Sequence, residues 1–255
     1  MIFKRAVAKL RAQDWMAITI ELLIVITGVF VGIQAANWNQ ARIEQRATEH
    51  LLNELKPALH QFIDYFDTAK PYYATTRDYS DVALAGWRGD PSVSNEQFVI
   101  AAYQASQIYS FGLNGDSWTT IFGSDRLPDI DDAEVRHSLA TLMTLNYQSI
   151  EAQLTTDYRE QVRQVIPEDI QDAIRSKCGD QRIPNHPLNV RLPARCQVEL
   201  AAGRFAAAAA ALRSHPKLIG ELRWHRSTIE SFVGDMGVVE VLTRDLLARI
   251  ERQPS

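Results

Sequence analysis

The chain has 255 residues, 46% of them hydrophobic, with 27 basic against 31 acidic side chains for a net charge of −4. That balance argues against a nucleic-acid binder, which needs a basic face. The length leaves room for one membrane helix and one water-soluble domain of ordinary size.

Residues 1–14 carry Lys4, Arg5, Lys9 and Arg11 beside Ile2, Phe3, Val7 and Leu10. They are expected to form a basic cytoplasmic stub, amphipathic enough to lie on the inner leaflet. Residues 15–38 read as one transmembrane helix. The 22 residues of 15–36 would span about 33 Å against roughly 30 Å of hydrocarbon. Eleven of them are Ile, Leu, Val or Phe. At about −0.3 to −0.6 kcal/mol each, these contribute about −3 to −7 kcal/mol towards insertion. The carboxylate of Glu21 costs about 2.5–3.5 kcal/mol, so the segment inserts with a reduced margin. Trp15 and Trp38 stand at the two ends, where amphipathic rings favour the headgroup level.

The flanks set the orientation. The four basic residues before the helix outweigh Arg42 and Arg46, which are accompanied by Glu44 and Glu49. This bias puts the N-terminus in the cytoplasm and the rest in an extracytoplasmic, periplasmic space. The competing reading is a cleaved signal peptide. It is disfavoured because Glu21 interrupts the apolar run and no Ala-x-Ala site follows it.

At 100° per residue, Glu21, Gly28, Gly32 and Asn39 fall on one stripe of the helix. Small residues on a stripe let two membrane helices approach closely, so this face is the expected association surface. Two plainer readings stand beside it: Gly-x-x-x-Gly arises by chance, and Glu21 is near enough to the inner interface to snorkel. The run Glu21-Leu-Leu-Ile-Val-Ile-Thr-Gly28, then Gly32 and Asn37-Trp38-Asn39, resembles the N-terminal signature of an uncharacterised bacterial family of single-pass proteins, a domain of unknown function. The signature reads roughly E-x3-V-x2-G-V-x2-G-x4-N-W-N. The segments Gly115–Ile121, Leu127 and Val135–Leu142 resemble the central part of the same family more loosely. The resemblance implies the topology and a helical outer domain, and carries no catalytic residue or substrate.

Residues 39–70 are expected to extend the helix outward, with Leu52, Leu55, Leu59, Phe62 and Phe66 as a heptad seam and a kink near Pro57. Residues 71–255 form the outer domain. Pro71 should open a separate short helix over about 75–86, ending at Gly86–Pro91. Ser94 and Gln97 have capping-box spacing for the next helix. A polar and aromatic loop follows over 109–117, with Asp116 or Ser117 capping a short helix that Gly123 stops. Asp129, Asp131, Asp132 and Glu134 suggest calcium, but Asp131 and Glu134 fit a capping box better and no metal site is assigned. One helix is expected from about 132 to Pro167, with Val135, Leu139, Leu142, Met143, Leu145 and Ile150 inward. A short helix begins at Pro167.

Between Cys178 and Cys196 lies the longest irregular stretch, and outside the cytoplasm these two thiols are expected to form a disulfide. His186 lies within this stretch, but two Cys and one His lack zinc-ligand spacing. Helices are expected over 196–214, around the alanine run Ala206–Ala211, and from Pro216 onward. The last keeps Leu222, His225, Ile229, Phe232, Met236, Val239, Thr243, Leu246 and Ile250 on one seam. His225 reads as a packed histidine rather than a ligand.

No P-loop, dinucleotide fingerprint, His-Glu-x-x-His or Gly-x-Ser-x-Gly motif is present. The block Gly115-Asp116-Ser117 lacks the strand and distal partners of a hydrolase. The expectation is therefore an all-α protein: one N-terminal transmembrane helix and an extracytoplasmic antiparallel helical bundle, without cofactor, metal or catalytic residues. Its partners would be the lipid bilayer and a second copy of the chain or another membrane protein. The alternative is a periplasmic ligand-sensing bundle, using Tyr72, Tyr73, Trp87, Tyr103, Tyr109 or Trp118 as pocket lining. A stub of 14 residues is too short for a signalling domain, so such a sensor would need a membrane partner.

Overall fold

The computed structural model describes residues 15–109, 127–144, 152–184 and 186–252, apart from the side chains at positions 17, 129 and 186–188. The chain divides into two compact units, Met1–Asn53 and Glu54–Ser255. The expected basic stub, the loop and short helix over 110–126 with Trp118, and Leu145 and Ile150 lie outside the described residues. The elements are α1 (Trp15–Trp87), α2 (Asn95–Gln104), a 3-10 turn (Leu127–Asp129), α3 (Ala133–Thr144), α4 (Asp157–Val165), α5 (Glu168–Cys178), β1 (Gln181–Ile183), β2 (His186–Arg191), α6 (Ala202–Arg213) and α7 (Lys217–Arg252).

The fold is mostly helical and opens with a long apolar helix. The expected break at Pro71 does not occur, because α1 passes through both Pro57 and Pro71. Each proline removes one backbone hydrogen bond and costs about 3 kcal/mol. Burial on either side of each site outweighs that. Leu55, Leu59, Phe62 and Phe66 are buried around Pro57, and Tyr72 and Tyr73 directly follow Pro71 at 1% and 2% exposure. Fully burying one large apolar side chain contributes about 1.5–3 kcal/mol. The rings also meet edge to face, Phe62 with Phe66 at 6.0 Å and Tyr72 with Tyr73 at 5.7 Å. The heptad seam is buried as its spacing implies.

Gly89, at φ 74°, supplies the left-handed turn that follows α1. Ser94 then starts α2 with a complete capping box: its Oγ accepts from the Gln97 amide at 3.1 Å, and Gln97 Oε1 accepts from the Ser94 amide at 2.9 Å. Every residue of α2 from Phe98 to Gln104 is buried. This short helix is the centre of the second unit, packed against α4 and α6. Close approach at its start requires Gly86. A Cβ there would stand 2.3 Å from Phe98 Cδ2, and the Trp87 ring packs on the same Phe98 at 5.0 Å. Gly86→Ala is therefore expected to destabilise the unit by about 1–3 kcal/mol. Thermal melts of the two proteins check this; coincident curves would mean the α1–α2 junction yields without cost.

The single helix expected over 132–167 is interrupted: α3 is described over Ala133–Thr144, and further on a turn from Ala152 to Thr155 precedes Thr156, whose extended backbone begins α4. Two adjacent β-branched threonines followed by Asp157 and Glu160 favour a helix start over a helix interior. At α3 the capping residue is Asp132, one position later than expected. Its Oδ1 accepts from the amides of Glu134 (2.9 Å) and Val135 (3.2 Å). Arg249 from the end of α7 hydrogen-bonds the other carboxylate oxygen at 2.7 Å and also pairs with Glu134.

The departure from an all-helical chain is the stretch read as irregular after Cys178. β1 and β2 pair antiparallel, Gln181 opposite Arg191 and Arg182 opposite Val190, with an irregularity before Ile183–His186. Residues 192–201 are then non-helical, and α6 starts at Ala202 rather than near Cys196. In the alanine run, Ala208 and Ala209 face inward, letting α6 pack closely on α2. The whole predicted seam of α7 is buried.

Ion pairs link α7 to the part of α1 that lies in the second unit. Asp67 binds Arg244 at 2.6 Å, Lys70 binds Glu240, and Asp81 binds Arg226, while the His60 ring lies 3.8 Å from the Glu251 carboxylate at the far end. The partner number falls along α7 as the number on α1 rises. Between the two helices lie large rings, Tyr73 against Phe232 at 5.7 Å. Glu240 is the buried member. Burial pushes its carboxyl up, but hydrogen bonds from Lys70 and Arg244 outweigh that and leave it below the usual carboxylate range.

Candidate functional site: an exposed apolar helix and a buried polar cluster

In the first unit, the helix from Ile18 has an apolar window with mean hydropathy 2.1, none of it buried. All eleven Ile, Leu, Val and Phe side chains between Ile18 and Ile33 are exposed, as are Trp15 (67%) and Trp38 (64%). The Arg42 guanidinium stacks 4.9 Å from the Trp38 ring centre. Glu21, Gly28, Gly32 and Asn39 are exposed, and a Cβ built at either glycine would meet nothing within 4 Å. The stripe is thus open along its length. Soluble surfaces seldom carry apolar patches beyond a few hundred Å2, and this band exceeds such a patch by its length alone.

In the second unit, the tyrosines named as pocket lining are buried in the core, and of them Tyr73 alone also borders a cavity between α1 and α7. Tyr72, Tyr73, Tyr103 and Tyr109 are each 2% exposed or less. Their hydroxyls meet partners: Tyr73 donates to the Tyr109 carbonyl at 3.3 Å and accepts from the Tyr109 amide at 3.1 Å. Tyr72 donates to Asp180 Oδ1 at 2.9 Å. Trp87 donates to the Leu212 carbonyl at 3.2 Å.

Cys178 and Cys196 stand at disulfide distance, with Cα atoms 5.5 Å apart. The Cys178 carbonyl accepts from the buried Gln104 at 2.7 Å, which ties the end of α5 to α2. Two residues further on, Asp180 is exposed as a residue, but its carboxyl is held against the buried Tyr72. Loss of hydration there raises its pKa, with the Tyr72 hydrogen bond and the charges of Arg159 and Arg163 opposing. The same setting pushes the Tyr72 hydroxyl well up, chiefly through burial and then the nearby Asp180 charge.

Arg159 and Arg163 come from α4. Arg159 donates to the Ser106 carbonyl, while Arg163 donates to Ser106 Oγ at 3.3 Å and Gln107 Oε1 at 3.0 Å. The Arg163 guanidinium lies 4.8 Å from the centre of the Tyr103 ring. Both arginines sit below the usual guanidinium range. Lost hydration is the first cause for each, and mutual repulsion adds to it at Arg159.

His225 is fully buried on the α7 seam. Its Nδ1 is 2.7 Å from Thr156 Oγ1, Tyr158 stacks 5.6 Å away, and Nε2 makes no hydrogen bond of normal geometry among the described residues. A cavity of about 330 Å3 opens between residues 70–80 of α1 and 226–234 of α7, lined by Tyr73, Thr76, Ser80, Ile229 and Val233 among others. The Thr76 and Ser80 hydroxyls in this lining bond back to helix carbonyls, while the charged lining residues Lys70, Arg77, Arg226 and Glu230 are engaged in ion pairs.

The arrangement of Arg159, Arg163 and Asp180 was not read from the sequence. Its one local signal is the i, i+4 spacing of two like charges on α4; the partners in α1, α2 and the turn after α5 are distant in sequence. Among the described residues, no group of three or more His, Cys, Asp or Glu is placed to hold a metal ion. No protein-family model, curated protein or solved structure matches this chain.

Proposed function

We propose that this is a single-pass protein of a bacterial inner membrane whose role is interaction rather than catalysis. In this reading residues 15–38 cross the bilayer, with the N-terminus cytoplasmic and the C-terminal domain periplasmic. The observation that carries it is the fully exposed apolar helix of the first unit, bounded by Trp15 and Trp38. Burying that band in lipid or protein removes its cost in water, and helices satisfy their own backbone groups within lipid. The basic residues before the helix support the orientation. A cysteine pair at bonding distance suits an oxidising compartment. The falling order of ion-pair partners supports an antiparallel helical bundle in the second unit.

The open stripe of Glu21, Gly28, Gly32 and Asn39 is the contact face for a second copy or another membrane protein. The resemblance of Glu21–Asn39 to a single-pass family agrees with this arrangement. Cysteine-free crosslinking in native membranes tests it. Gly28→Leu/Gly32→Leu is expected to abolish the crosslinked species while leaving expression and membrane fractionation unchanged. Undiminished crosslinking in that variant would falsify the association face.

A second reading, a ligand-sensing bundle acting through a membrane partner, draws on the 330 Å3 cavity between α1 and α7. That volume is at the small end of ligand cavities. Its hydroxyls bond to helix carbonyls and its charged residues to neighbouring side chains, which leaves few groups to orient a ligand, so the interaction role is preferred.

A further inference from the structure

Arg159 and Arg163 are both half-buried, on one face of α4 beside the end of α2. Each guanidinium has five N–H donors. Three hydrogen bonds to Ser106 and Gln107 use only a few of them, and all three acceptors are neutral. Among the described residues, neither arginine has a carboxylate within salt-bridge distance. Arg175, Arg204, Arg226, Arg244 and Arg249 each do. The acid that acts on both, Asp180, is engaged by the Tyr72 hydroxyl and reaches them only at longer range.

Two like charges held four residues apart, partly stripped of water and, among the described residues, without a carboxylate in direct contact, are costly in isolation. Their geometry is nevertheless fixed. Ser106 anchors both, and the Tyr103 ring sets the plane of Arg163. A fixed guanidinium fork matches the two oxygens of a carboxylate or phosphate, and such charge-assisted pairs are the strong ones.

We propose that Arg159 and Arg163 form a binding site for a small oxyanion, a carboxylate or phosphate group, where α4 meets the end of α2. The site is independent of the membrane reading, since every residue in it belongs to the second unit. Its chemistry is shared by a free phosphate or organic acid and by the phosphate of an anionic lipid headgroup.

The test titrates the full-length protein, in uncharged detergent at constant ionic strength, with inorganic phosphate and separately with acetate, by calorimetry and thermal shift. Saturable binding is expected for the wild type. Arg159→Gln and Arg163→Gln are each expected to weaken it by about tenfold to a hundredfold, the loss of one charge-assisted contact. Arg204→Gln, which breaks an exposed pair with Asp169, is expected to leave it unchanged. If a Gln variant does not fold, Arg163→Lys keeps the charge, loses the fork and should still weaken binding about tenfold. Repeating the titration in phosphatidylcholine and phosphatidylglycerol nanodiscs names the source. Competition confined to the anionic discs assigns a headgroup; equal binding assigns a soluble anion. Either result sustains the site. Absence of saturable binding by the wild type, or equal binding by both Gln variants, overturns it.

Discussion

Replacing Cys178 and Cys196 together by Ser is expected to cost the second unit about 3 kcal/mol. The cysteines are 18 positions apart, and closing a loop of that size removes about that much unfolded-state entropy. For a unit of this size the midpoint should fall by about 6–12 °C. The local geometry adds a reason for the loss to be felt. Cys178 is buried, its carbonyl anchors Gln104, and the bridge encloses the β1–β2 hairpin. Melts with and without reductant make the comparison internal: reduction should shift the wild type and leave the double variant alone. Identical melts for both proteins in oxidising buffer would show that the cross-link adds nothing to the fold.

Acid should begin to destabilise the same unit as pH falls below about 6.5. Burial lowers the pKa of His225 from 6.5 to about 4, the Arg159 charge adds to the shift, and the nearby Ala105 carbonyl opposes it. The folded protein therefore holds this imidazole neutral while the unfolded chain protonates it below about pH 6.5. Stability linked to His225 is complete above that pH. It is lost progressively as pH falls from about 6.5 to about 4, with no further loss from this group below. The total is about 3 kcal/mol by linkage. His225→Gln removes the titration, so urea melts across this window should show the wild type losing stability and the variant holding level. Parallel losses would assign the acid sensitivity to other groups. The lowered carboxyls of Asp132 and Glu240 add their own losses as pH falls below their ordinary values of 3.8 and 4.5, where protonation breaks each ion pair.

What could be read from the residues was the periodic part. The seam from Leu52 to Phe66 and the one from Leu222 to Ile250 repeat at 3 and 4, and nothing but helix burial maintains that spacing over so many turns. The Ser94–Gln97 box was equally legible, because both capping bonds are local. The misreadings share a cause. Pro71 reads as a helix start because its backbone penalty is local, whereas the burial that overrides it comes from α7 and from Tyr109, far along the chain. The break before Asp157 was missed because apolar spacing carried across two threonines whose backbone preference decided the matter. The strand pair after Cys178 was hidden by Pro184 and Pro187, although Leu188 to Leu192 alternates as a strand does. Arg159, Arg163 and Asp180 could not be joined on paper. Their meeting depends on three elements packing together, and each residue alone looks like ordinary surface charge.

The ion pairs between α1 and α7 also set an order of events in synthesis. Lys70 and Glu240 are separated by 170 residues, Asp67 and Arg244 by 177. At ribosomal speed α7 follows its partner by about 10–30 s. During that interval Tyr73 has been made while Phe232, the ring that packs against it, has not. The second unit thus cannot close until α7 is made, and a nascent chain halted before it presents Tyr73 and the unpaired Asp67 and Lys70 to whatever holdase is at hand.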